Sequence, residues 1–446
     1  MTATENPPAQ QTAQTYRPST LQRFLPFIIA AVVPFILGST TGDVNFWWKA
    51  LITVVVLAVV ARLAWKWTPR GELTHREDMR LWRTPSDRSW AAVTIFGLLV
   101  LPFILASDFT PPMGFPWATW FAVANTVLIF AMGGAAFNLL VGYSGQISLA
   151  HVAFLALGSI VGGIVGVQWS GGNMWLALPA AALAGAVVGA ISGLPALRLK
   201  HLYLLLATFG FHFVMMLVWR EYLQEYFGFV GIRFKGENSP RIASWLHWLP
   251  GIDPDQHGEF VIMGHFRWYW VIMPISVLSI LFMVNVIRTR EGRAFAAVRD
   301  RDVSASLLGI NVARSKLLAF ALSSAVVSMT GVLHSFYIGA RGEDSFSVRT
   351  VLDYAIIIVV GGFSSIQGAI FGSAFFWFLP EWFEWAREEL WFVRDIDFLS
   401  DYPNEIDLAI KGFLVVIVLM FKPDGLAGMW RDFKGWLGRR LARNDP

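Results

Sequence analysis

Long apolar stretches separated by short polar segments dominate the hydrophobic pattern of this chain. A stretch of about 20 apolar residues is the length an α-helix needs to cross a membrane. The stretches are continuous and lack the alternation over about 10 residues that is typical of transmembrane β-strands. The pattern predicts an all-α polytopic membrane protein with about 10 core transmembrane helices plus about 2 extra N-terminal ones. The twelve predicted spans are 24–41, 46–65, 90–107, 117–141, 147–168, 174–196, 201–219, 268–287, 317–339, 351–362, 367–385 and 405–421.

The polar segments between these spans predict the domain organisation. Residues 1–23 are rich in Thr, Gln, Pro and Ala and are expected to form a disordered cytoplasmic tail. No small-residue cleavage site follows the first apolar run, so it is expected to be retained as a span. The further predicted regions are two extra transmembrane helices in 24–67, a charged cytoplasmic linker in 68–89, the main transmembrane domain in 90–421 and a basic cytoplasmic C-terminal tail in 422–446.

The composition supports a membrane protein and excludes several kinds of site. Of the 446 residues, 55% are hydrophobic and only 15% are charged, whereas soluble domains carry about 25% charged residues. Because cysteine is absent, disulfides, thiolate metal sites and cysteine nucleophiles are excluded. No His, Asp and Glu grouping has metal-ligand spacing, and no catalytic set is evident. We therefore expect no metal, no cofactor, no catalytic residues and no nucleic-acid partner.

The distribution of positive charge predicts the orientation. With the N-terminus inside, the cytoplasmic segments are 1–23, 62–89, 197–200, 288–316 and 422–446, and they hold most of the 35 lysine and arginine residues. Cytoplasmic segments of membrane proteins carry such an excess. Both termini are therefore predicted to be cytoplasmic.

The segment 288–316 is a charged island between two apolar runs. Residues 293–308 have a helix-forming composition, and Gly309 follows where a glycine commonly ends a helix. Charge alone fits a solvated loop equally well. However, a partial apolar stripe at near-helical spacing indicates a helix of about four turns that is buried against a soluble partner. The stripe consists of Phe295, Val298, Val303 and Leu307, and the residues assigned to the contact are Arg293, Phe295, Val298, Arg299, Asp300, Arg301, Asp302, Leu307 and Gly309.

A second cluster, within Gly133 to Gly158, combines small and polar residues at predicted membrane depth. Its glycines predict a helix break, and broken backbone at that depth is tolerated only against protein or a water-filled cavity. A translocation path or gate is the favoured interpretation, with hydrogen bonding between helices as the alternative. Pairs at Gly361–Gly362 and Ser364–Ser365 predict a tight turn or broken helix further on. The residues assigned to the path are Asn138, Gly142, Ser144, Gly145, Gln146, Ser148, His151, Gly361 and Gly362.

Five motifs in order carry a family resemblance that covers roughly 115 to 430. They are FNLLVGYSGQISLAHVAFLALGS from Phe137, GLPALRLKHLYLLLATFGF from Gly193, GRAFAAVRDRDVSASLLGINVARSKLLAF from Gly292, VVGGFSSIQGAIFGS from Val359 and FKPDGLAG from Phe421. Together they resemble the LivM-type permeases, which are membrane subunits of ABC importers for branched-chain amino acids, urea and short amides. The first two spans and the linker have no counterpart in that pattern.

The resemblance implies a function and a set of partners. The chain is expected to be a permease subunit in the bacterial plasma (inner) membrane, forming the path for a small neutral or zwitterionic solute. Branched-chain amino acids are the first expectation, and urea or a short amide is the next. The implied partners are cytoplasmic ABC ATPase subunits, a second permease subunit (LivH-like) or a second copy, an extracytoplasmic solute-binding protein and the lipid membrane. In this interpretation 288–316 is the coupling loop of a permease domain spanning 90–421.

Two other classes of protein compete with this interpretation. A stand-alone ion-coupled secondary transporter needs an intramembrane acid for its coupling ion, and spans four to nine hold very few acids. A membrane-integral enzyme needs a clustered catalytic set, which the chain does not show. The phosphate-binding pattern G-x-x-x-x-G-K-[ST] is also missing. We therefore expect that this chain is no enzyme and that ATP hydrolysis takes place on a separate chain.

Overall fold

The computed structural model of the protein describes residues 117–170, 173–199, 201–223, 232–233, 265–341, 343–389, 403–422 and 424–432. The chain divides into two compact units, Met1–Phe109 and Thr110–Pro446, and every described residue belongs to the second. The predicted N-terminal tail, the first three spans, the charged linker and most of the C-terminal tail lie outside the described residues.

The described residues are almost entirely helical, which confirms the predicted all-α fold class. The short segments are π-helical turns at Leu139–Tyr143, Gly162–Trp169 and Trp219–Leu223, 3-10 turns at Leu194–Leu197 and Glu343–Phe346, and an antiparallel pair of two-residue strands, β1 (Ile232–Arg233) and β2 (Ala340–Arg341). The helices are α1 (Trp117–Asn138), α2 (His151–Val161), α3 (Met174–Ser192), α4 (His201–Val218), α5 (His265–Arg288), α6 (Arg290–Asp300), α7 (Asp302–Leu307), α8 (Val312–Ile338), α9 (Val348–Gly361), α10 (Ile366–Glu389) and α11 (Pro403–Phe421).

Six helical segments in the described part of the chain are long and apolar enough to cross a membrane. They contain α1, α2, α3, α4, α5 and α8, and they match the fourth to ninth predicted spans. Helices α9 and α10 are long and apolar enough to cross a membrane only when they are taken together, and they are bent by 119° at their junction. With 14 residues, α9 is about 21 Å long at 1.5 Å per residue, too short for a hydrocarbon layer of about 30 Å. The tenth and eleventh predicted spans therefore form one V-shaped pair, and this corrects their interpretation as two separate spans.

Helix α8 lies at the centre of the bundle because small residues let its neighbours approach closely. A Cβ on Gly158 of α2 would collide with the Ser328 backbone, and one on Gly331 of α8 would collide with the Leu155 backbone. Gly185 and Gly189 of α3 lie against α8 in the same way. Close contact through small residues replaces the hydrophobic driving force that helices lack inside a membrane. The sequence therefore builds a dense α2–α3–α8 core that supports the polar segments at its ends.

Long-range hydrogen bonds define two opposite ends of the bundle. At one end, Asn125 near the start of α1 donates to the His265 carbonyl at 2.8 Å, and His265 Nδ1 lies 2.8 Å from the Tyr337 hydroxyl. At the other end, Gln146 beyond α1 donates to the Lys316 carbonyl near the start of α8 at 3.4 Å. The described helices connect these ends alternately, so residues 197–199, 288–316, 422 and 424–432, which belong to three of the predicted cytoplasmic segments, lie at the second end. We call it the coupling end.

Candidate functional site

The coupling segment 288–316 contains two helices where the sequence predicted one. Helix α6 ends at Asp300 and α7 begins at Asp302, with Arg301 between them in an extended conformation (φ −157°, ψ 104°). The single helix of about four turns is therefore wrong. The Arg301 N–H still bonds to the Ala297 carbonyl and its own carbonyl accepts from Ala305, so the junction is ordered. Since the axis breaks at one residue, the two helices can present different faces.

The predicted apolar stripe is divided by this break. Phe295 and Val298 of α6 are buried within the chain, at 0% and 6% exposure. Val303, Leu307 and Leu308 at α7 are exposed at 68%, 84% and 80%. The first pair therefore fixes α6 to the bundle and offers nothing to a partner, which corrects half of the prediction. The three exposed side chains are called the α7 patch.

The predicted helix end at Gly309 is confirmed. Gly309 has φ +80°, its N–H bonds to the Ser306 carbonyl at 3.0 Å, and the Ile310 N–H bonds to the Ala305 carbonyl at 3.1 Å. This pair of bonds is the Schellman motif, in which a left-handed residue satisfies the last helical carbonyls. The motif fixes the direction of the chain between the α7 patch and α8, which starts after its N-cap, Asn311.

Arg299 joins α6 to two other segments of the bundle. Its Nη1 donates to the Gly142 carbonyl at 2.8 Å and to Ser364 Oγ at 2.7 Å. Its Nε and Nη2 donate to Asp300 Oδ1 at 3.2 and 3.1 Å. The side chain is 36% exposed, so the guanidinium lies at the rim of the bundle. Arg299, assigned from sequence to a partner contact, thus makes its described bonds within this chain.

The partners of Arg299 belong to two breaks in the helices. Helix α1 loosens into the π-helical turn Leu139–Tyr143 and ends before Gly145, whose φ is +69°. Between α9 and α10, residues 361–365 form a sharp turn, called here the apex turn. Ser364 in this turn has φ +59°, which non-glycine residues rarely adopt, and its Oγ donates to the Gly142 carbonyl at 2.6 Å. Both predicted breaks are therefore present, and they touch each other.

Asn138 holds the apex turn from the end of α1. Its Oδ1 accepts from the Ser364 N–H at 2.9 Å, and its Nδ2 donates to the carbonyls of Gly362 at 3.2 Å and Ser365 at 2.8 Å. The side chain is fully buried. A Cβ at Gly142 would collide with Asn138 Oδ1 and lie 2.6 Å from Ser364 N, so only glycine fits there. Buried amide groups of this kind stabilise one backbone arrangement over others.

Residues near the end of the described part of the chain also contact the apex turn. Gly362 has φ +115°, and a Cβ there would collide with the Asp424 carbonyl. A Cβ at Gly425, which has φ +67°, would lie 2.7 Å from the Val360 carbonyl. Arg431 Nη2 lies 3.2 Å from Asp424 Oδ2. The C-terminal motif is therefore packed on the apex turn, a contact that the sequence did not reveal.

The segment between α1 and α2 has further bonds at the coupling end. Gln146 Nε2 donates to Ser144 Oγ at 2.9 Å, and Ser144 Oγ donates to the Leu140 carbonyl at 2.7 Å. Ser148 Oγ accepts from the Ala150 N–H at 3.2 Å. Lys316 Nζ lies 3.7 Å from Asp302 Oδ2, which connects α7 to α8. Among the other assigned residues, the exposed Arg293 donates to the Arg288 carbonyl at 3.1 Å.

His151, the first residue of α2, lies deeper in the bundle among aromatic rings. Its ring centroid is 4.5 Å from those of Phe137 and Tyr354, and Tyr354 stacks on Phe130 at 4.9 Å. The imidazole is buried, and its Nε2 has no hydrogen-bond partner among the described residues. Tyr354 also lies against Gly133 of α1. This aromatic column runs from the coupling end toward the middle of the bundle.

The structure thus brings the two predicted residue sets together at one end. The path residue Gly142 bonds directly to the coupling residue Arg299. Asn138 bonds to Gly362 and Ser364 of the apex turn, which Arg299 reaches through Ser364. In the sequence prediction the two sets are separate. The sequence predicts a turn at Ser364 but does not assign this residue to the site. The aromatic column was also not predicted, because no short-range sequence pattern indicates it. Within the described residues, no group of three His, Asp or Glu side chains could hold a metal ion.

Comparison with known proteins identifies the family. Residues 118–419 match the family described as branched-chain amino acid transport system / permease component. The chain is similar to the high-affinity branched-chain amino acid transport system permease protein LivM of Salmonella typhimurium, at 25% identity over 69% of this chain and 70% of that protein. It is similar to the probable branched-chain amino acid transport permease protein LivM of Methanocaldococcus jannaschii, at 24% identity over 74% and 90%. It also resembles the xylose transport system permease protein XylH of Haemophilus influenzae, at 33% identity over 26% and 31%.

No solved structure matches the chain. The family match covers more than half of the chain, so this protein belongs to the permease components of branched-chain amino acid transport systems. The resemblance to LivM-type permeases is thereby confirmed. The chain is a transport permease subunit of the ABC importer class rather than an enzyme. It is a multi-pass protein of the inner membrane. Membership implies ATPase and substrate-binding partners.

Proposed function

We propose that this chain forms the translocation path of an ATP-driven importer for a branched-chain amino acid and couples to its ATPase subunits through α6 and α7. The observation that carries the coupling role is the α7 patch. Its three large apolar side chains are exposed next to ionic residues at the coupling end of the bundle. An apolar helix face set in a polar surface is the usual form of a segment that docks into a groove on a partner.

The charge distribution supports a cytoplasmic position for this patch. The described residues at the coupling end, 197–199, 288–316, 422 and 424–432, belong to predicted cytoplasmic segments that are rich in lysine and arginine. In the proposed orientation both termini are cytoplasmic and the segment between α4 and α5 lies outside. There, a solute-binding protein would deliver the cargo. A second permease subunit, LivH-like or a second copy of this chain, would complete the path.

The chemistry of the buried residues supports an uncharged or zwitterionic cargo. In the described part of the bundle, the buried polar side chains are Asn, Gln, Ser, Thr and His, with no Asp, Glu, Lys or Arg among them. Charged side chains inside a membrane commonly mark ion pathways. Two relatives are named for branched-chain amino acids and one for xylose. Leucine, isoleucine and valine are therefore the first cargo, and urea or a short amide is the next.

Purification and reconstitution test the transport mechanism. A tagged full-length chain expressed in its own host should co-purify with a nucleotide-binding ATPase. Proteoliposomes holding that complex, with a solute-binding protein from the same host, should accumulate labelled leucine only when ATP is supplied. Accumulation by the chain alone under a proton or sodium gradient would instead identify a stand-alone secondary transporter and would refute the proposal.

Competition identifies the cargo in the same vesicles. Unlabelled isoleucine and valine in excess should suppress leucine uptake, whereas urea and xylose in equal excess should leave it unchanged. Urea accumulation in the absence of leucine accumulation would assign the second cargo class. Xylose accumulation alone would contradict both assignments.

A further inference from the structure

We propose that Arg299 is the residue that transmits ATPase movement from the coupling helices to the transport path, by clamping the end of α1 to the apex turn. This inference rests on the proposed function and adds to it a specific transmission residue. The clamp is the set of bonds from one guanidinium nitrogen to the Gly142 carbonyl and to Ser364 Oγ, at 2.8 and 2.7 Å. It joins α6, α1 and the α9–α10 pair through one side chain.

The position of Arg299 in the coupling segment suits transmission. It lies two residues before Arg301, where α6 and α7 separate. On the α7 side of this break, the patch is exposed and free to meet a partner. On the α6 side, the buried Phe295 and Val298 fix the helix to the bundle. A displacement of α7 therefore reaches α6 at its C-terminal end, where Arg299 projects.

The segments that Arg299 holds can change their arrangement. The apex turn contains Ser364 in a left-handed conformation, and α1 passes into a π-helical turn that contains Gly142. Irregular backbone of this kind costs energy and persists only while its neighbours hold it in place. A Cβ at Gly145 would lie 2.6 Å from Arg299 Cγ, so the backbone is pressed closely against the arginine stem. Release of the guanidinium would remove a main restraint on both breaks.

The same geometry explains why the residue is an arginine. One nitrogen donates to Gly142 and Ser364 while the other two donate to Asp300. A lysine carries its donors on a single ammonium and lacks this planar fork. Arg299→Lys should therefore retain part of the clamp, and Arg299→Met should lose it while keeping the length of the stem.

A distance measurement tests the clamp without knowledge of the cargo. The natural chain has no cysteine, so Ile147→Cys and Phe363→Cys introduce the only two labelling sites, and both side chains are exposed. The spin-labelled chain in complex with its co-purified ATPase is measured by pulsed electron resonance, with and without ATP and orthovanadate. The variants are Arg299→Met, Arg299→Lys and Ser364→Ala. The control is Arg314→Met, an arginine of the same segment that is 73% exposed and lies 3.8 Å from Glu291.

We expect nucleotide to shift the distance between the spin labels at positions 147 and 363 in the parent and in Arg314→Met. The shift should be smaller in Arg299→Lys and absent in Arg299→Met. Uptake per ATP hydrolysed should fall at least tenfold in Arg299→Met and in Ser364→Ala, with the ATPase still bound. Uptake per ATP hydrolysed in the double variant, Arg299→Met with Ser364→Ala, should be no lower than in Arg299→Met alone, because both changes remove the same clamp. A parent-like shift in Arg299→Met, or loss of ATPase binding in that variant, would overturn the clamp. Failure of the parent chain to bind any ATPase would instead overturn the proposed function.

Discussion

The Asn138 side chain accepts a hydrogen bond from the backbone N–H of Ser364 at 2.9 Å, across 226 positions of the chain. The same amide donates to the carbonyls of Gly362 and Ser365. One buried side chain thus satisfies three backbone groups of the apex turn. Because Asn138 is the last residue of α1, the turn between α9 and α10 is set by the helix that also leads to Gly142.

Replacement of Asn138 by alanine should destabilise the bundle. Three hydrogen bonds would be lost at a buried site, which at about 0.5–1.5 kcal/mol each amounts to about 1.5–4.5 kcal/mol. The midpoint of thermal unfolding in detergent should fall accordingly. The matched control is Asn173→Ala, which removes one exposed helix cap, the bond to the Leu176 N–H, and should cost about 1 kcal/mol. Equal losses in the two variants would contradict the role given to Asn138.

A methyl group added at Gly158 should disturb the α2–α8 contact. Its Cβ would collide with the Ser328 backbone, and overpacking of this kind costs about 1–3 kcal/mol. Gly210→Ala is the control, since a Cβ on that helical residue has nothing within 4 Å. Thermal unfolding in detergent should show a lower midpoint for Gly158→Ala and an unchanged or slightly higher one for Gly210→Ala. A stable Gly158→Ala protein would show that α2 and α8 are less closely packed than described.

A substitution at Gly309 should weaken the coupling helices without weakening the bundle. The residue has φ +80° and a Cβ there would meet nothing within 4 Å, so the cost of alanine is backbone strain alone, about 1 kcal/mol. Gly309→Ala should lower ATPase association while the unfolding midpoint stays near that of the parent. Gly309→Asn should restore association, because asparagine tolerates the left-handed region. No difference between the two variants would exclude this explanation.

Cysteine labelling should locate the two ends of the bundle. Leu307 and Trp169 are exposed, at α7 and at the far end of the segment that continues α2. In intact cells a membrane-impermeant maleimide should label Trp169→Cys and spare Leu307→Cys. Both should react after the membrane is opened, since the parent chain has no cysteine of its own. Labelling of Leu307→Cys from outside would reverse the proposed orientation.

The sequence predicted the features that local patterns encode. The apolar stretches located the spans, Gly309 ended a helix, and the glycines at 142 and 145 broke one. The break at Arg301 was missed because the residues on both sides of it favour helix, and no helix-breaking residue marks its position. The burial of Phe295 within the chain was missed because an apolar stripe indicates that a helix face is buried. It does not indicate whether the same chain or a partner covers that face.

The contacts between distant segments could not be predicted in this way. The bonds of Arg299 to Gly142 and Ser364 join positions 157 and 65 residues apart, and single-sequence patterns report only near neighbours. The same holds for the ring contacts of His151 with Phe137 and Tyr354. Membrane burial adds to the difficulty, since lipid-facing and core-facing positions are both apolar. The family motifs located these residues in the chain without showing that they meet.

In the proposed mechanism, the α7 patch is the surface through which the ATPase drives this permease. The most direct test of this role is ATPase co-purification with a Leu307→Asp and Leu308→Asp double variant in membranes, quantified per permease chain. The control is Ala313→Asp, which places a negative charge on an exposed residue of the neighbouring helix α8. We predict that the double variant inserts normally and loses at least tenfold in bound ATPase, while the control retains it. Bound ATPase at the parent level in the double variant would contradict the claim.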